Sequence, residues 1–471
     1  MASLCSRWKR KFSVSMFKNL KIRLGEMSFS KDFVGTDRGD LYPILEKSED
    51  CLERVAGNRY AVEGGRVARL FCQFFPFATY EAAFSLKEGH VGFRFRLPDA
   101  EAAVLLEGDC ISFRSGDLEE RIALPEGMER GSLLVSCRPR AFDLYVRKNG
   151  KPEWLRTVYV DAFADSNRES AFEDAYVFLD VEGRAEVSCV TACVDNGISL
   201  ADIRPIRYEN GDVILENGAM FFTASIRLQE GAMQGIFSWR PGTAELSMTG
   251  ALYFDCGDGK WRNYLASVIL YHREWKKWLL WTSSFEHEHV LAHGTSEGDP
   301  RFGVNVVDVT LMTRAKEGDT YFDFVGFRGD EDPDLLYDGE KWLFALCRLD
   351  PSVGGYRYAF FESEDPFEGF RYLGCGKAGS ETGGSFFRMD GETFFLCGNG
   401  YDRASEYRIY GKDGMTTASF NYPDGGFRGW GAPFSVKMGS RTRHFWLTFD
   451  RHNGSTYEWS YGNLYCFELG R

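Results

Sequence analysis

Pro333–Leu346 reads PDLLYDGEKWLFAL, and it decides the fold. A short apolar strand runs into Asp338-Gly339, a pair that turns tightly, and an aromatic strand returns over Trp342-Leu343-Phe344. The phrase recurs. Pro205–Ser225 (PIRYENGDVILENGAMFFTAS), Ala266–Ser284 (ASVILYHREWKKWLLWTSS), Gly384–Gly398 (GSFFRMDGETFFLCG) and Pro433–Phe449 (PFSVKMGSRTRHFWLTF) repeat it. The second strands align on Met220-Phe221-Phe222, Trp278-Leu279-Leu280, Trp342-Leu343-Phe344, Phe394-Phe395-Leu396 and Phe445-Trp446-Leu447. The repeat length is about 50–60 residues, the size of one small antiparallel sheet. Radial repetition of such sheets builds a β-propeller, and five units predict five blades over residues 197–471.

Upstream the texture differs. VGFRFRL, SLLVSC, AFDLYVRKNGK, RTVYVDAF, AYVFLDV and AEVSCVTACV are short alternating segments divided by Gly, Asp and Asn turns. Phe142, Leu144 and Val146 alternate with Asp143, Tyr145 and Arg147 before Asn149-Gly150, as in a hairpin strand with one face in the core. The expectation is an all-β chain: an N-terminal arm over 1–58, a β-sandwich of jelly-roll type over 59–196, and the propeller.

Composition agrees with strands and excludes several functions. Of 471 residues, 15% are aromatic, with 51 Gly against 14 Pro. The 56 Lys and Arg against 69 Asp and Glu leave a net charge of -13, the wrong sign for a phosphate backbone, so nucleic acid is not an expected partner. No apolar run approaches the roughly 18 residues of a membrane helix, so no membrane partner is expected. The basic stretch around Arg7, Lys9, Arg10 and Lys11 has no apolar core or small-residue cleavage site of a secretory signal. The 12 Cys are scattered and never form CxxC, which reads as reduced thiols in a cytoplasmic protein.

Inner strands of a propeller surround a channel, so their first residues converge although distant in sequence. Before them stand Asp202 in ADIRP, Asp330, Asp332 and Asp334 in GDEDPD, Glu381 in SETGG and Trp430 in GWGAP. Counting back three from the proline or its equivalent selects Asp202, Asp330, Glu381 and Trp430. Both Asp330 and Asp332 remain candidates, because residues two apart on a strand share a face. Loops joining second and third strands belong at the same end, which adds His287, His289, Arg348, Asn399, Asp450, Arg451 and His452 as hydroxyl contacts for a ligand. Trp239 and Trp430 are candidate stacking platforms.

This order of blade-start acids, Asp, Asp, Glu in blades one, three and four, resembles the five-bladed glycosidases of glycoside hydrolase families 43 and 32. The resemblance implies Asp202 as base or nucleophile, Asp332 as the acid that orients substrate or tunes its partner, and Glu381 as general acid. It further implies a glycoside hydrolase acting on an oligosaccharide or small glycoside, an arabino- or fructofuranoside above all. The flanks depart from family 43, which usually has Asp-Pro at the first site and Glu-Gly-Pro at the last, whereas Asp202-Ile203-Arg204-Pro205 and Glu381-Thr382-Gly383-Gly384 stand here; a neighbouring family fits better. The N-terminal sandwich resembles concanavalin-like or laminin-G-like jelly rolls. Two carboxyl groups flanking a sugar are what acid-base glycoside cleavage needs. The alternative is a carbohydrate-binding protein with a degenerate glycosidase propeller. Retaining or inverting chemistry, exo or endo action and oligomeric state stay open.

Other motifs are set aside. Glu286, His287, Glu288, His289 and His293 resemble a metal cluster without a third ligand at fixed spacing, so no cofactor is expected beyond a structural cation in the channel. GTSEG (Gly294–Gly298) and GCGKAG (Gly374–Gly379) match hydrolase-elbow and dinucleotide patterns, yet neither leads into a helix.

Overall fold

The computed structural model describes residues 21–25, 52–56, 59–148, 152–172, 174–194, 199–227, 232–241, 243, 246–285, 289–312, 329–376, 381–399, 406–412, 414–419, 430–449 and 464–470. It is built from strands, and among the described residues no helix is long and apolar enough to cross a membrane.

Five four-stranded antiparallel units follow one another from Ser199. Blade one comprises Ser199–Pro205, Ala219–Arg227, Ala232–Trp239 and Leu246–Asp255. Blade two comprises Leu265–His272, Lys277–Ser284, Val290–Ser296 and Gly303–Leu311. Asp330–Tyr337, Trp342–Asp350, Gly355–Ser363 and Arg371–Cys375 form blade three. Glu381–Met389, Glu392–Asn399, Glu406–Gly411 and Gly414–Ser419 form blade four. Blade five takes Gly431–Met438, Arg441–Phe449 and Leu464–Gly470, and borrows its outer strand, Lys21–Gly25, from the other end of the chain. The first strand of each blade lies against the first strand of the next, and that of blade five lies against that of blade one, closing a ring. The outer strands of blades one and two pair in parallel from Gly250 and Gly303 to Asp255 and Asp308, which joins the two blades edge to edge.

The apolar runs follow from this packing. A second strand has a neighbouring blade on each face, so Trp342–Cys347 is buried at every position instead of alternating. Between blades, Phe387, Phe394 and Leu396 of blade four meet Trp446 of blade five, and Leu279 and Trp281 of blade two meet Phe344 and Leu346 of blade three.

Residues from Leu52 to Cys193 form one ten-stranded sheet folded around its own core. Its spine is a pair of 18-residue strands, Thr79–Arg96 and Tyr176–Cys193, which cross Gly89 against Gly183. There φ is +91° and +90°, and a Cβ on Gly89 would stand 1.9 Å from the Glu182 carbonyl oxygen, so glycine is required on both sides. On one side of this crossing Thr79–Arg96 pairs with Arg130–Arg138, on the other with Glu101–Glu107. The two halves face each other, with Phe113 and Phe142 rings 5.4 Å apart.

The sandwich docks on blade one. Phe77 stacks on Tyr253 with ring centroids 4.7 Å apart, Phe172 meets Trp261 at 4.8 Å, and Asn167 and Trp261 exchange hydrogen bonds of 2.8 and 2.9 Å.

Candidate functional site

Four inner strands break their pairing with the second strand near their start. The skipped positions are Asp202-Ile203, Ala266-Ser267, Pro333 with Asp332, and Gly383-Gly384. In each break the first residue is left-handed: φ is +53° at Asp202, +53° at Ala266, +51° at Asp332 and +59° at Gly383. Such a bulge turns the side chain away from the pleat of the strand, and Asp tolerates that conformation better than most residues. The bulge is therefore the true register of the ring. It sets Asp332 level with Asp202, and corrects the count from proline, which set Asp330 there. Pro205 stands three residues beyond its bulge residue while Pro333 directly follows its own, so proline marks no common height.

Asp332 is buried, and its Oδ2 accepts 3.0 Å hydrogen bonds from Thr382 Oγ1 and the Gly383 amide, both of blade four. Its own amide donates to Ser283 Oγ of blade two at 2.9 Å, so three blades fix this one residue. Burial, then the nearby charge of Asp202, push its acidity toward the protonated form, while the Arg204 guanidinium and the two hydrogen bonds pull the other way. The outcome is a carboxyl held above the usual carboxylate range beside a second carboxylate. Both of these bonds fall on Oδ2, and Oδ1 takes neither. Tyr358 closes the floor: its hydroxyl accepts from the Gly384 amide and stands 3.4 Å from the Asp332 carbonyl, and burial drives its pKa well above the ordinary phenol range, so it stays neutral.

Glu381 is placed differently. It occupies the bulge register minus two in blade four, level with Asp330 in blade three. Its carboxylate is fully buried, with Oε2 accepting from the Tyr358 amide at 3.1 Å and Oε1 from Arg408 at 3.1 Å and from the Tyr410 hydroxyl. All these partners lie on the third strands of blades three and four. Asp332, by contrast, meets Thr382 and Gly383, so the acids expected to act as a trio are a pair plus a residue clamped between blades.

The remaining candidates divide. Asp330 and Arg348 form a two-pronged ion pair of 2.6 and 2.7 Å, and the Asp330 amide donates to the His289 carbonyl at 2.8 Å. His289 is itself left-handed, φ +57°, and half-buried against Phe285. Trp430 lies over Gly383, where a Cβ would fall 1.4 Å from Trp430 Cδ1, and it stacks on Phe449 at 5.3 Å. Trp239 is a correction: the expected stacking platform is core, wedged edge-on between Phe434 and Phe445 of blade five with Nε1 donating to the Thr243 carbonyl at 2.8 Å. An apolar ring reads the same in sequence whether sugar or blade five covers it. The Asn399 backbone pairs with Glu381; His287, Asp450, Arg451 and His452 lie outside the described residues.

Sequence reasoning passed over Thr382, Tyr358 and Arg204. Arg204 had a legible signal, a charge two residues past a channel Asp inside a strand. Tyr358 had none, since it sits on a third strand.

Glu331, Asp332 and Cys347 bring ligand atoms within 4.8 Å of one another. The set suits a metal poorly: burial pushes the Cys347 thiol well up, so it stays protonated, and it donates to the Glu381 carbonyl at 3.0 Å.

No family model matches the sequence, and no curated protein matches it. Among solved structures the chain is similar to a thermostable family-43 glycoside hydrolase, at 11% identity over 57% of this chain and 89% of that one with a TM-score of 0.38. It is similar to a family 117 glycoside hydrolase of the marine bacterium Zobellia galactanivorans, at 14% identity over 57% and 84% with a TM-score of 0.40. It is also similar to levansucrase of Bacillus subtilis, at 11% identity over 57% and 86% with a TM-score of 0.39. The propeller itself rests on the strand pairing described above.

Proposed function

We propose that the protein is a glycoside hydrolase whose working carboxyls are Asp202 and Asp332. One observation carries this: two aspartates in the same bulge register of blades one and three, buried and acting on each other across the channel. Two such groups cannot both ionise freely, so the pair retains a proton at a pH where an isolated aspartate would be bare. That is the division of labour glycoside cleavage needs. One carboxyl protonates the leaving oxygen while a carboxylate supports or attacks the anomeric carbon from the other side. Asp332, with Oδ2 engaged by Thr382 and Gly383, keeps Oδ1 for the proton, and Asp202 serves as base or nucleophile. Proton transfer of this kind contributes about 10²–10⁴-fold to a rate.

Glu381, the acid that the family resemblance would assign, has both carboxylate oxygens engaged, by Arg408 and Tyr410 and by the Tyr358 amide, which suits positioning of Tyr358 more than proton donation. The same clamp favours a second reading, a glycan-binding propeller without turnover. The substrate class carried over from the resemblance is a furanoside.

Hydrolysis of a panel of nitrophenyl furanosides and pyranosides together with arabino- and fructo-oligosaccharides tests the proposal. Asp202→Asn and Asp332→Asn should each lower kcat by at least about 10²-fold on the sugar that is cleaved, whereas Glu381→Gln should chiefly lower the unfolding midpoint. A kcat lost only in Glu381→Gln would return the acid role to Glu381. Glycan binding with no turnover across the panel would establish the second reading.

A further inference from the structure

Arg204 follows Asp202 by two residues on the inner strand of blade one and is 1% exposed. It lies within electrostatic reach of Asp332 and Tyr358 of blade three, a blade that is not its neighbour in the ring. Nη1 donates to the Ile203 carbonyl at 3.3 Å. Nε and Nη2 have no hydrogen-bond partner among the described residues. Those two atoms share one edge of the planar guanidinium, and that edge matches both oxygens of a carboxylate.

The other buried arginines show what this fold does with such a group. Arg207 has Asp334 at 2.5 Å, Arg262 has Asp258 at 2.6 Å, Arg301 has Asp299 at 2.6 Å, and Arg348 has Asp330 at 2.6 Å. Arg204 alone among the described buried arginines has no carboxylate within ion-pairing distance. Asp332 does not fill the role: its Oδ2 bonds to blade four, and neither of its oxygens is a hydrogen-bond partner of Arg204 Nε or Nη2. A pair of sugar hydroxyls would satisfy the two donors; a carboxylate satisfies them and also supplies the directly paired charge that the other buried arginines have.

We propose that the Nε–Nη2 edge of Arg204 is the recognition site for a carboxylate on the sugar held in the channel, so that the glycan is an acidic one, a uronic acid. This rests on the glycoside reading of the acid pair and adds the substrate's charge to it.

Free glucuronate and galacturonate, compared with glucose and galactose, isolate the carboxylate from the rest of the ring. Titration calorimetry on the full chain at neutral pH should show one of the uronates binding at least about tenfold tighter than its neutral counterpart, a difference of about 1.4 kcal/mol. Arg204→Gln should bring the uronate down to the neutral sugar's affinity and leave the neutral sugar within about twofold. Equal binding of acidic and neutral sugars by the wild type, binding of neither, or a preference that survives Arg204→Gln would overturn the proposal; the wild-type comparison alone decides should that variant not fold. Turnover separates this from the hydrolase reading. A uronate preference with no hydrolysis of acidic or neutral nitrophenyl glycosides leaves Arg204 standing and sinks the enzyme, while hydrolysis of neutral glycosides with no uronate binding does the reverse.

Discussion

Left-handed backbone at one position in each of four inner strands ties local geometry to chemistry. Asp202 and Asp332 use the bulge to leave the pleat, and Gly383 uses it to let Trp430 pack on bare backbone. Gly383→Ala therefore meets both the φ of +59° and the Trp430 ring 1.4 Å from the new methyl. The ring must move, and the amide that donates to Asp332 moves with it; a loss of at least about 3 kcal/mol is expected, read by denaturant unfolding and by a shift of tryptophan emission. Ala266, at the same register with φ +53°, shows that the position accepts a side chain where no ring covers it. Asp332 carries a pH signature whose sign is fixed. Folding raises its affinity for a proton, so its contribution to stability is full below the pKa of the unfolded aspartate, about 3.9, and is lost as pH rises through the raised folded value. Asp332→Asn removes that loss and keeps an oxygen for Thr382 and Gly383. Its unfolding midpoint should exceed that of the wild type at pH 8 and converge with it near pH 4, each kcal/mol appearing as roughly 2–4 °C; calorimetric scans at both pH values check this, and a midpoint below wild type at pH 8 would count against a strained, buried charge.

At the scale of the strand, the inner ladder is locked below the site by Arg207. Its Nη2 meets Asp334 Oδ1 and its Nη1 the Phe386 carbonyl, both at 2.5 Å, and Asp334 Oδ2 accepts the Phe386 amide, so segments of blades one, three and four share one ion pair at zero exposure of Asp334. Asp334→Ala strands a buried guanidinium and should cost about 3–5 kcal/mol; urea unfolding measures it, and a change under 1 kcal/mol would mean that water reaches Arg207. These strands were also the most legible part of the sequence. The inner and second strands of all five blades stand out because a tight turn joins an apolar run to an aromatic one, and both faces of the second strand are buried. What escaped was the one-residue slip of each ladder. A bulge has no composition of its own here, being Asp, Ala, Asp and Gly in turn, so Asp332 and Asp330 could be ranked only by a proline that follows a different rule in each blade. The acid pair was thus legible as residues and illegible as geometry. The direction of the Glu381 side chain, set by Arg408 and Tyr410 from strands farther out, had no local trace at all.

Over the whole molecule, the propeller depends on chain that lies far from it in sequence. Lys21–Gly25 pairs along Leu464–Gly470, from Lys21 with Gly470 to Gly25 with Cys466, and so completes blade five. The ring's own seam, between the inner strands of blades five and one, has no such backbone ladder, since these strands belong to different sheets. A missing outer strand leaves Leu464–Gly470 as an edge, with one row of its amides open to water. Deleting residues 1–25 should therefore loosen blade five before the rest, because local opening free energy falls with lost pairing. Hydrogen exchange followed by mass spectrometry should show amides of 464–470 exchanging at least about tenfold faster, with those of blade three unchanged and the midpoint of unfolding lowered. The sandwich supplies a separate control. Phe77→Ala empties the stack on Tyr253 at the docking face, costs about 3 kcal/mol, and acts through blade one. If deletion of 1–25 left 464–470 as protected as before while Phe77→Ala exposed them, the last blade would be held by the sandwich and its docking on blade one rather than by the N-terminal strand.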